Sequence, residues 1–174
     1  MSIILGIDPG SRKTGFGVIR LDGRKPVYVG SGVVKLPTDA PLAERLNILF
    51  ESLVTVMSEY QPNEVAVEDI FMSKNAMSAL KLGHARGAIM VAAGQQSLPV
   101  FEYEARKVKQ IVAGSGNADK TSVQHMVARQ LKLPGRPQED AADALAVALC
   151  HVHFNTGVVA STGAGRFSRG RLRN

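Results

Sequence analysis

Four acidic residues occupy positions where the surrounding sequence is apolar, and burying a carboxylate in such surroundings is costly. Asp8 ends an apolar run near the N-terminus, and Glu68 ends a valine-rich segment. Asp140 and Asp143 are three residues apart in an alanine-rich stretch, a spacing that places both on one face of a helix. Carboxylates without a cluster of His or Cys suit Mg²⁺ or Mn²⁺ rather than zinc. The set therefore predicts a divalent-metal site for phosphoryl chemistry, in which two ions clamp the attacking water and the leaving oxygen.

Each acid also has a purely structural explanation. Asp8 could accept hydrogen bonds from the turn that follows it, and Asp140 and Asp143 suit the first turn of a helix, where the macrodipole favours negative charge. Asp69 directly follows Glu68, and we expect it to be solvated. Against these explanations, two carboxylates at neighbouring strand ends repel each other unless a cation or a shared proton lies between them.

Basic residues are concentrated in segments that contain few acids. The formal net charge is +6, and residues 154–174 contribute four arginines and no acid. Residues 106–136 contain seven basic residues against one acid. Residues 70–101 contain no acid, and their basic residues are Lys74, Lys81 and Arg86. Charge runs are most often solvated faces, but three of them around a few isolated carboxylates favour binding to a polyanion such as nucleic acid.

The composition is typical of a globular protein. With 174 residues and 45% hydrophobic content, the chain is expected to form one folded domain. Its single cysteine, Cys150, excludes an internal disulfide framework and suits a reducing compartment. The N-terminus lacks the features of a signal peptide, and the uncharged run at residues 88–101 is too short to span a bilayer. We therefore expect a cytoplasmic protein with no membrane partner.

The elements that must position the acids follow from the apolar pattern. Strand-like runs and segments with helical periodicity alternate in an order that predicts an α/β fold, a five-stranded mixed sheet flanked by helices on both faces. A helix connecting parallel strands would bring Asp8 and Glu68 to the same sheet edge. Thr38 and Asp39 are expected to cap that helix. The predicted strands are residues 3–8, 14–19, 26–34 (with a bulge or bend at its glycines), 64–69 and 99–103. The predicted helices are residues 41–60, 75–95, 105–113, 120–133 and 139–153.

The predicted helix at residues 75–95 is unusually rich in small residues. Glycine costs roughly 1 kcal/mol relative to alanine in a helix interior, so Gly83 and Gly87 require an explanation. Close approach of another helix is one, either within the fold or across a subunit boundary. We expect the second arrangement, a two-fold homodimer through this helix.

Several ordered motifs resemble one family over about residues 1–153. They are Gly6-Ile7-Asp8-Pro9-Gly10-Ser11, Glu68 followed by Phe71-Met72-Ser73-Lys74-Asn75, Leu80-Lys81-Leu82-Gly83-His84-Ala85-Arg86-Gly87, and Asp140-Ala141-Ala142-Asp143-Ala144-Leu145. Together they resemble the RuvC family of bacterial Holliday junction resolvases. The resemblance implies a ribonuclease H-like nuclease domain at residues 1–153. Beyond it, the composition of residues 154–174, which is rich in Gly, Ser, Thr and Arg, predicts a flexible basic tail.

The resemblance also implies an activity, a cofactor and partners. A homodimer would nick two opposing strands of four-way junction DNA during recombination and repair, leaving 5′-phosphate and 3′-hydroxyl ends. Two Mg²⁺ ions per active site would be required, Mn²⁺ would substitute, and the RuvA–RuvB branch-migration complex would be a partner. Some family members carry a histidine where this chain has Asp140. The implied roles are metal binding and catalysis for Asp8, Glu68, Asp140 and Asp143, junction stacking for Phe71, contact with the scissile phosphate for Lys109 and Lys120, and further DNA contacts for Lys74, Lys81 and Arg86.

Two other classes remain open at this point. The opening motif also resembles the first phosphate loop of actin-like ATPases, but those proteins need two such domains and this chain has about half the length. A module that only binds DNA structures would keep the basic segments without needing four acids. Metal-dependent cleavage of a synthetic junction separates both alternatives from the nuclease.

Overall fold

A five-stranded mixed sheet forms the centre of the fold. The computed structural model describes residues 1–69 and 76–155, so the predictions for Phe71, Lys74 and nearly all of the basic tail lie outside the described residues. The strands are β1 (Ser2–Asp8), β2 (Lys13–Asp22), β3 (Lys25–Lys35), β4 (Glu64–Asp69) and β5 (Val100–Glu104), and the helices are α1 (Leu42–Tyr60), α2 (Ala76–Gln95), α3 (Ala105–Ala113), α4 (Lys120–Gln130) and α5 (Glu139–Asn155).

The strand order is β3-β2-β1-β4-β5, which places β1 and β4 inside the sheet. The first three strands form an antiparallel meander, whereas β1 pairs with β4, and β4 with β5, in parallel. The ladder between β2 and β3 shifts register, pairing Val18 with Gly30 and Ile19 with Tyr28. Val29 is therefore the extra residue of a bulge, next to a glycine of β3 as predicted. The parallel pairing of β1 and β4 confirms the arrangement expected to bring Asp8 and Glu68 together.

Helices cover both faces of the sheet, and alternating residues of β1 contribute to a different core on each face. Leu5 packs in the core that includes residues of α1 and α2, whereas Ile4 packs in the core formed with α3, α4 and α5. Burial of apolar side chains on both faces explains why β1 is a continuous apolar run. Among the described helices, none is both long and apolar enough to cross a membrane.

Helix α5 lies directly on the sheet because glycines in β1 and β2 leave room for it. A Cβ atom on Gly6 would lie 2.2 Å from the carbonyl oxygen of Ala144, and one on Gly15 would lie 2.0 Å from that of Asp140. Neither position can accept a side chain without moving the helix. These contacts fix the N-terminal half of α5 over the end of β1, beside Asp8.

Two predictions about helix ends were wrong. Helix α1 begins at Leu42 with Pro41 as its N-cap and has no side-chain capping bond, so neither Thr38 nor Asp39 caps it. Pro41 has an extended conformation, and its carbonyl oxygen accepts the Arg45 N–H, which starts the helix from the backbone alone. Helix α4 ends at Gln130 rather than near residue 133, because the chain turns through Lys132 with a left-handed φ of 53°.

Candidate active site

The acids from three separate segments meet at one end of the sheet. Asp8 ends β1 and Glu68 lies near the end of the parallel neighbour β4, so both occur at the carboxyl edge of the central strands. Asp140 and Asp143 lie in the first turns of α5, which the glycines of β1 and β2 hold against this edge. The charges of these acids act on one another's pKa values, as expected for side chains that lie close together.

Burial and mutual repulsion disfavour the charged forms of Asp8, Glu68 and Asp143. Burial, followed by the negative charges of Glu68, Asp143 and Asp140, raises the pKa of Asp8 to about 8. Burial, followed by the charge of Asp143, raises the pKa of Glu68 to about 7. The pKa of Asp143 is also raised, again mainly by burial. Raised pKa values of this kind mark groups held near one another without full compensation of their charge.

The donor set has the chemistry that a hard divalent cation requires. All four side chains offer carboxylate oxygens, the ligands that Mg²⁺ and Mn²⁺ prefer. Within residues 1–69 and 76–155, no three His, Cys, Asp or Glu side chains stand close enough together to enclose a metal ion. The acids are thus gathered within electrostatic range of one another but are not assembled into a closed ligand cage.

Two lysines from neighbouring helices face this group of acids. The positive charge of Lys120, the first residue of α4, lowers the pKa of Asp8, Glu68 and Asp143. Lys109 on α3 acts in the same direction on Glu68 and Asp143. Both lysines therefore lie close enough to the acids for their charges to act on them.

The start of α5 adds two contacts that the sequence analysis missed. The Gln138 side chain donates from Nε2 to Asp140 Oδ2 at 2.7 Å and accepts the Ala141 N–H at 3.1 Å. The next residue, Glu139, accepts a hydrogen bond from the Lys120 ammonium. The only sequence signal for either contact is the position of both residues at the beginning of the acid-bearing helix.

The other predicted DNA contacts have different surroundings. Lys81 lines a small open pocket together with Arg45 and Ser11, and Ser11 belongs to the turn that follows Asp8. Arg86 instead forms an ion pair with Glu102 on β5, with Nε donating to Oε1 at 2.7 Å. The structure therefore brings Lys81 near the sheet end that carries the acids, whereas an acid already compensates the charge of Arg86.

A second polar cluster occupies the opposite ends of the same elements, β4 and α5. His151 is fully buried and donates from Nε2 to Glu64 Oε2 at 2.6 Å. In this tautomer its Nδ1 accepts the Tyr103 hydroxyl at 2.7 Å. Asn155 donates a further bond to Glu64 Oε2 at 3.3 Å. His153 bonds instead to Gln130, so the two histidines point in different directions.

Comparisons with known proteins agree on one family. The family model described as "Crossover junction endodeoxyribonuclease RuvC" matches residues 4–151. The crossover junction endodeoxyribonuclease RuvC of Saccharophagus degradans is 55% identical over 172 residues, covering 99% of this chain and 99% of the relative. The protein of the same name from Pseudoalteromonas atlantica is 56% identical over 174 residues, covering 99% of this chain and 100% of the relative.

Solved structures agree with the sequence comparisons. T. thermophilus RuvC in complex with Holliday junction substrate has a TM-score of 0.83 and 36% identity, covering 89% of this chain and 95% of that one. The yeast mitochondrial Holliday junction resolvase Ydc2 has a TM-score of 0.64 at 11% identity, covering 88% of this chain and 80% of that one, which shows a shared fold alone. The predicted ribonuclease H-like α/β fold is confirmed.

Proposed function

The chain belongs to the RuvC family of crossover junction endodeoxyribonucleases, and from this premise we propose that it resolves four-way junction DNA by paired nicks in two opposing strands. The observation that carries the proposal is the convergence of Asp8, Glu68, Asp140 and Asp143 at one sheet end beside two lysines. A module that only bound DNA would gain nothing from buried carboxylates, because they repel phosphate.

The four acids would hold the divalent metal, two Mg²⁺ ions per site with Mn²⁺ able to substitute. When bound, the ions would supply an activated water and stabilisation of the leaving oxygen. Asp8 and Glu68 contribute the most strongly buried charge, so they favour a cation most. Lys109 and Lys120 would bind the scissile phosphate and orient it for attack on the side that leaves a 5′-phosphate and a 3′-hydroxyl.

The DNA path would extend from the acids toward the pocket lined by Lys81. Arg45 and Lys81 line that pocket close to the turn after Asp8, so a strand lying across the acids would meet both cations. Lys74 and Arg86 would add weaker contacts, and for Arg86 the phosphate must compete with Glu102. The basic tail at residues 154–174 would raise affinity without specifying position, outside a nuclease domain that spans residues 1–153.

Phe71 would stack on a base unpaired at the junction centre, a contact worth roughly 1–3 kcal/mol. Phe71→Ala should therefore fold normally and bind junctions but cut them more slowly. A junction that already contains unpaired bases beside the crossover should partly restore its rate. A loss of several kcal/mol in unfolding free energy would instead identify Phe71 as a core residue.

Helix α2 would form the homodimer interface. Its inner side packs in the core through residues such as Ala85 and Ile89, while large apolar side chains on the helix are exposed: Met77 by 59%, Leu80 by 54% and Val91 by 62%. A Cβ atom on Gly83 or Gly87 would meet nothing within 4 Å among the described residues. The protomer's own packing therefore does not explain these glycines, which supports close contact with a second copy.

The dimer can be tested by filling this surface. Gly87→Leu should leave the protomer folded, because the position is open, but should block close approach of the partner helix. Sedimentation should then show a monomer, and paired nicking should be lost. A variant that remains a stable dimer would place the interface on another surface.

The biological setting follows from family membership. We propose action in recombination and DNA repair in the cytoplasm, together with the RuvA–RuvB branch-migration complex. Membership in a family of metal-dependent nucleases, and not any contact within this chain, supports the partner and the compartment.

The test of the function is cleavage of a synthetic four-way junction by the purified full chain. In Mg²⁺ or Mn²⁺ we expect symmetric nicks in two opposing strands that DNA ligase can reseal, and no cleavage in a chelator. A linear duplex of the same sequence should remain intact at equal salt. Failure to cut the junction in either metal, or equal cutting of the duplex, would contradict the proposal.

A further inference from the structure

Gln138, the residue immediately before α5, uses both atoms of its side-chain amide. Its Oε1 accepts the Ala141 N–H at 3.1 Å, and its Nε2 donates to Asp140 Oδ2 at 2.7 Å. Neither bond survives reversal of the amide, because an N–H cannot accept and an ionised carboxylate cannot donate. The two contacts therefore determine the orientation of the Gln138 side chain together.

Capping alone does not explain this residue. The Oε1 bond satisfies a free N–H of the first turn of α5, and the Gln138 carbonyl oxygen accepts the Ala142 N–H at 2.8 Å. Ser, Asp or Asn would provide the same acceptor and are favoured at such positions. A cap needs no donor, yet the Gln138 side chain carries one and directs it at Asp140. That second bond requires a separate explanation.

The donated bond restrains one oxygen of a partly buried acid. Asp140 lies in the first turn of α5 and, like Asp8 and Glu68, it is only partly buried, so its carboxylate remains accessible to a ligand. The Gln138 bond engages Oδ2 and leaves Oδ1 for another partner. Outer contacts of this type orient metal ligands, and losing one typically weakens metal binding or activity about 10- to 100-fold.

We infer that Gln138 is a positioning residue that holds the Asp140 carboxylate ready to bind the divalent metal. The inference rests on the proposed function, because it takes Asp140 as a metal ligand. It assigns two separable roles to one side chain: the acceptor stabilises the start of α5, and the donor prepares the ligand. A substitution that keeps the first role and removes the second should therefore separate them.

Gln138→Ser makes this separation, because a serine hydroxyl can accept the Ala141 N–H but is too short to donate to Asp140 as well. The full-length protein would be titrated with Mn²⁺, and free ion would be measured by electron paramagnetic resonance. We expect Gln138→Ser to bind Mn²⁺ about 10-fold more weakly with an unchanged unfolding midpoint. Gln138→Ala should lose both Mn²⁺ affinity and stability.

A matched control and a double variant make the result specific. Gln130 also uses both amide atoms, bonding to Val112 and His153 far from the acids, so Gln130→Ser should lower the unfolding midpoint without changing Mn²⁺ affinity. In an Asp140→Asn background, Gln138→Ser should cause no further loss of affinity, because the donor acts only through Asp140.

Three outcomes would overturn the inference, and they differ in meaning. If Asp140→Asn weakens Mn²⁺ binding but Gln138→Ser does not, Gln138 is only a cap. If Gln138→Ser causes an additional loss in the Asp140→Asn background, it does not act through Asp140. If Asp140→Asn itself binds Mn²⁺ as tightly as the unaltered protein, Asp140 is not a ligand, and that part of the proposed function fails together with the inference.

Discussion

Strand β4 and helix α5 bring acidic side chains together at both of their ends, but the surroundings of these acids differ. At one end, Glu64 receives hydrogen bonds from His151 at 2.6 Å and Asn155 at 3.3 Å. At the other end, Glu68 lies four residues along the same strand. Burial, followed by repulsion from Asp143 of the same helix, raises the pKa of Glu68 to about 7. No residue in the described part of the chain donates a hydrogen bond to the Glu68 side chain.

The difference indicates that one end of these elements stabilises the fold and that the other end is suited to binding a metal ion. A buried polar group that is fully hydrogen-bonded ties elements together at little net cost, and the His151 cluster joins β4, β5 and α5 in this way. Buried acids held near one another without full compensation of their charge destabilise the metal-free protein but favour the binding of a cation. We therefore expect substitutions at the two ends to have opposite effects on activity and stability.

The largest effect is expected from Asp8→Asn. The substitution keeps the shape of the side chain but removes the most strongly perturbed charge, so junction cleavage should fall roughly 10²- to 10⁴-fold, as for other groups that act directly in catalysis. Junction binding without metal should persist. Metal-free stability at neutral pH should rise, because an amide needs no proton uptake to be buried among the other acids. Cleavage assays, filter binding and chemical denaturation measure the three quantities.

Normal cleavage by Asp8→Asn in Mg²⁺ would show that Asp8 is not part of the active site. The matched control is Glu64→Gln, which changes one acid at the opposite end of the sheet and should cut junctions at the normal rate.

The next effect is on stability at the hydrogen-bonded end. His151→Ala removes a fully buried ring and leaves the Tyr103 hydroxyl without its partner, so the free energy of unfolding should fall by roughly 2–5 kcal/mol. At a temperature where the variant remains folded, its cleavage rate should be close to normal. A His151→Ala variant that is stable but inactive would show that His151 is needed for cleavage, and would contradict the proposed difference between the two ends.

A smaller effect is expected from pH. Between about pH 4 and pH 8 the native protein binds more protons than the unfolded chain, because the pKa of Asp8 is raised from 3.8 to about 8. Metal-free stability should therefore fall as pH rises through this window. Asp8→Asn should make the dependence shallower. Denaturation in a chelator at several pH values tests this, and a metal-free stability that rises with pH equally in the unaltered protein and in Asp8→Asn would contradict it.

The sequence predicted those parts of the site that depend on the pattern of single segments, and it did not predict side-chain hydrogen bonds between residues far apart in the chain. The convergence of Asp8 and Glu68 followed from two apolar runs and the connecting helix, and the parallel pairing confirmed it. The cluster of Glu64, Tyr103 and His151 could not be predicted, because its members are far apart in sequence and no spacing rule connects them. Their partnership exists only once β5 and α5 pack beside β4.

The sequence pattern also did not predict which residues make the contacts at the starts of α1 and α5. Thr38 and Asp39 have the right chemistry for capping, but the chain reaches Pro41 before the helix begins. Gln138 has less favourable capping chemistry, yet it caps α5 and contacts Asp140 as well. In both cases the path of the backbone, and not the preference of the residue, determines which side chain reaches the helix end.

The central claim is that the end of β4 and α5 that carries the four acids binds the catalytic metal, and that the end that carries Glu64 and His151 does not. The most direct test is a crystal of the full chain soaked in Mn²⁺, with the ions located by anomalous scattering. We predict Mn²⁺ between the carboxylates of Asp8, Glu68, Asp140 and Asp143, and none beside Glu64 and His151. Ions at the His151 end, or none among the four acids at a concentration that supports cleavage, would contradict the account.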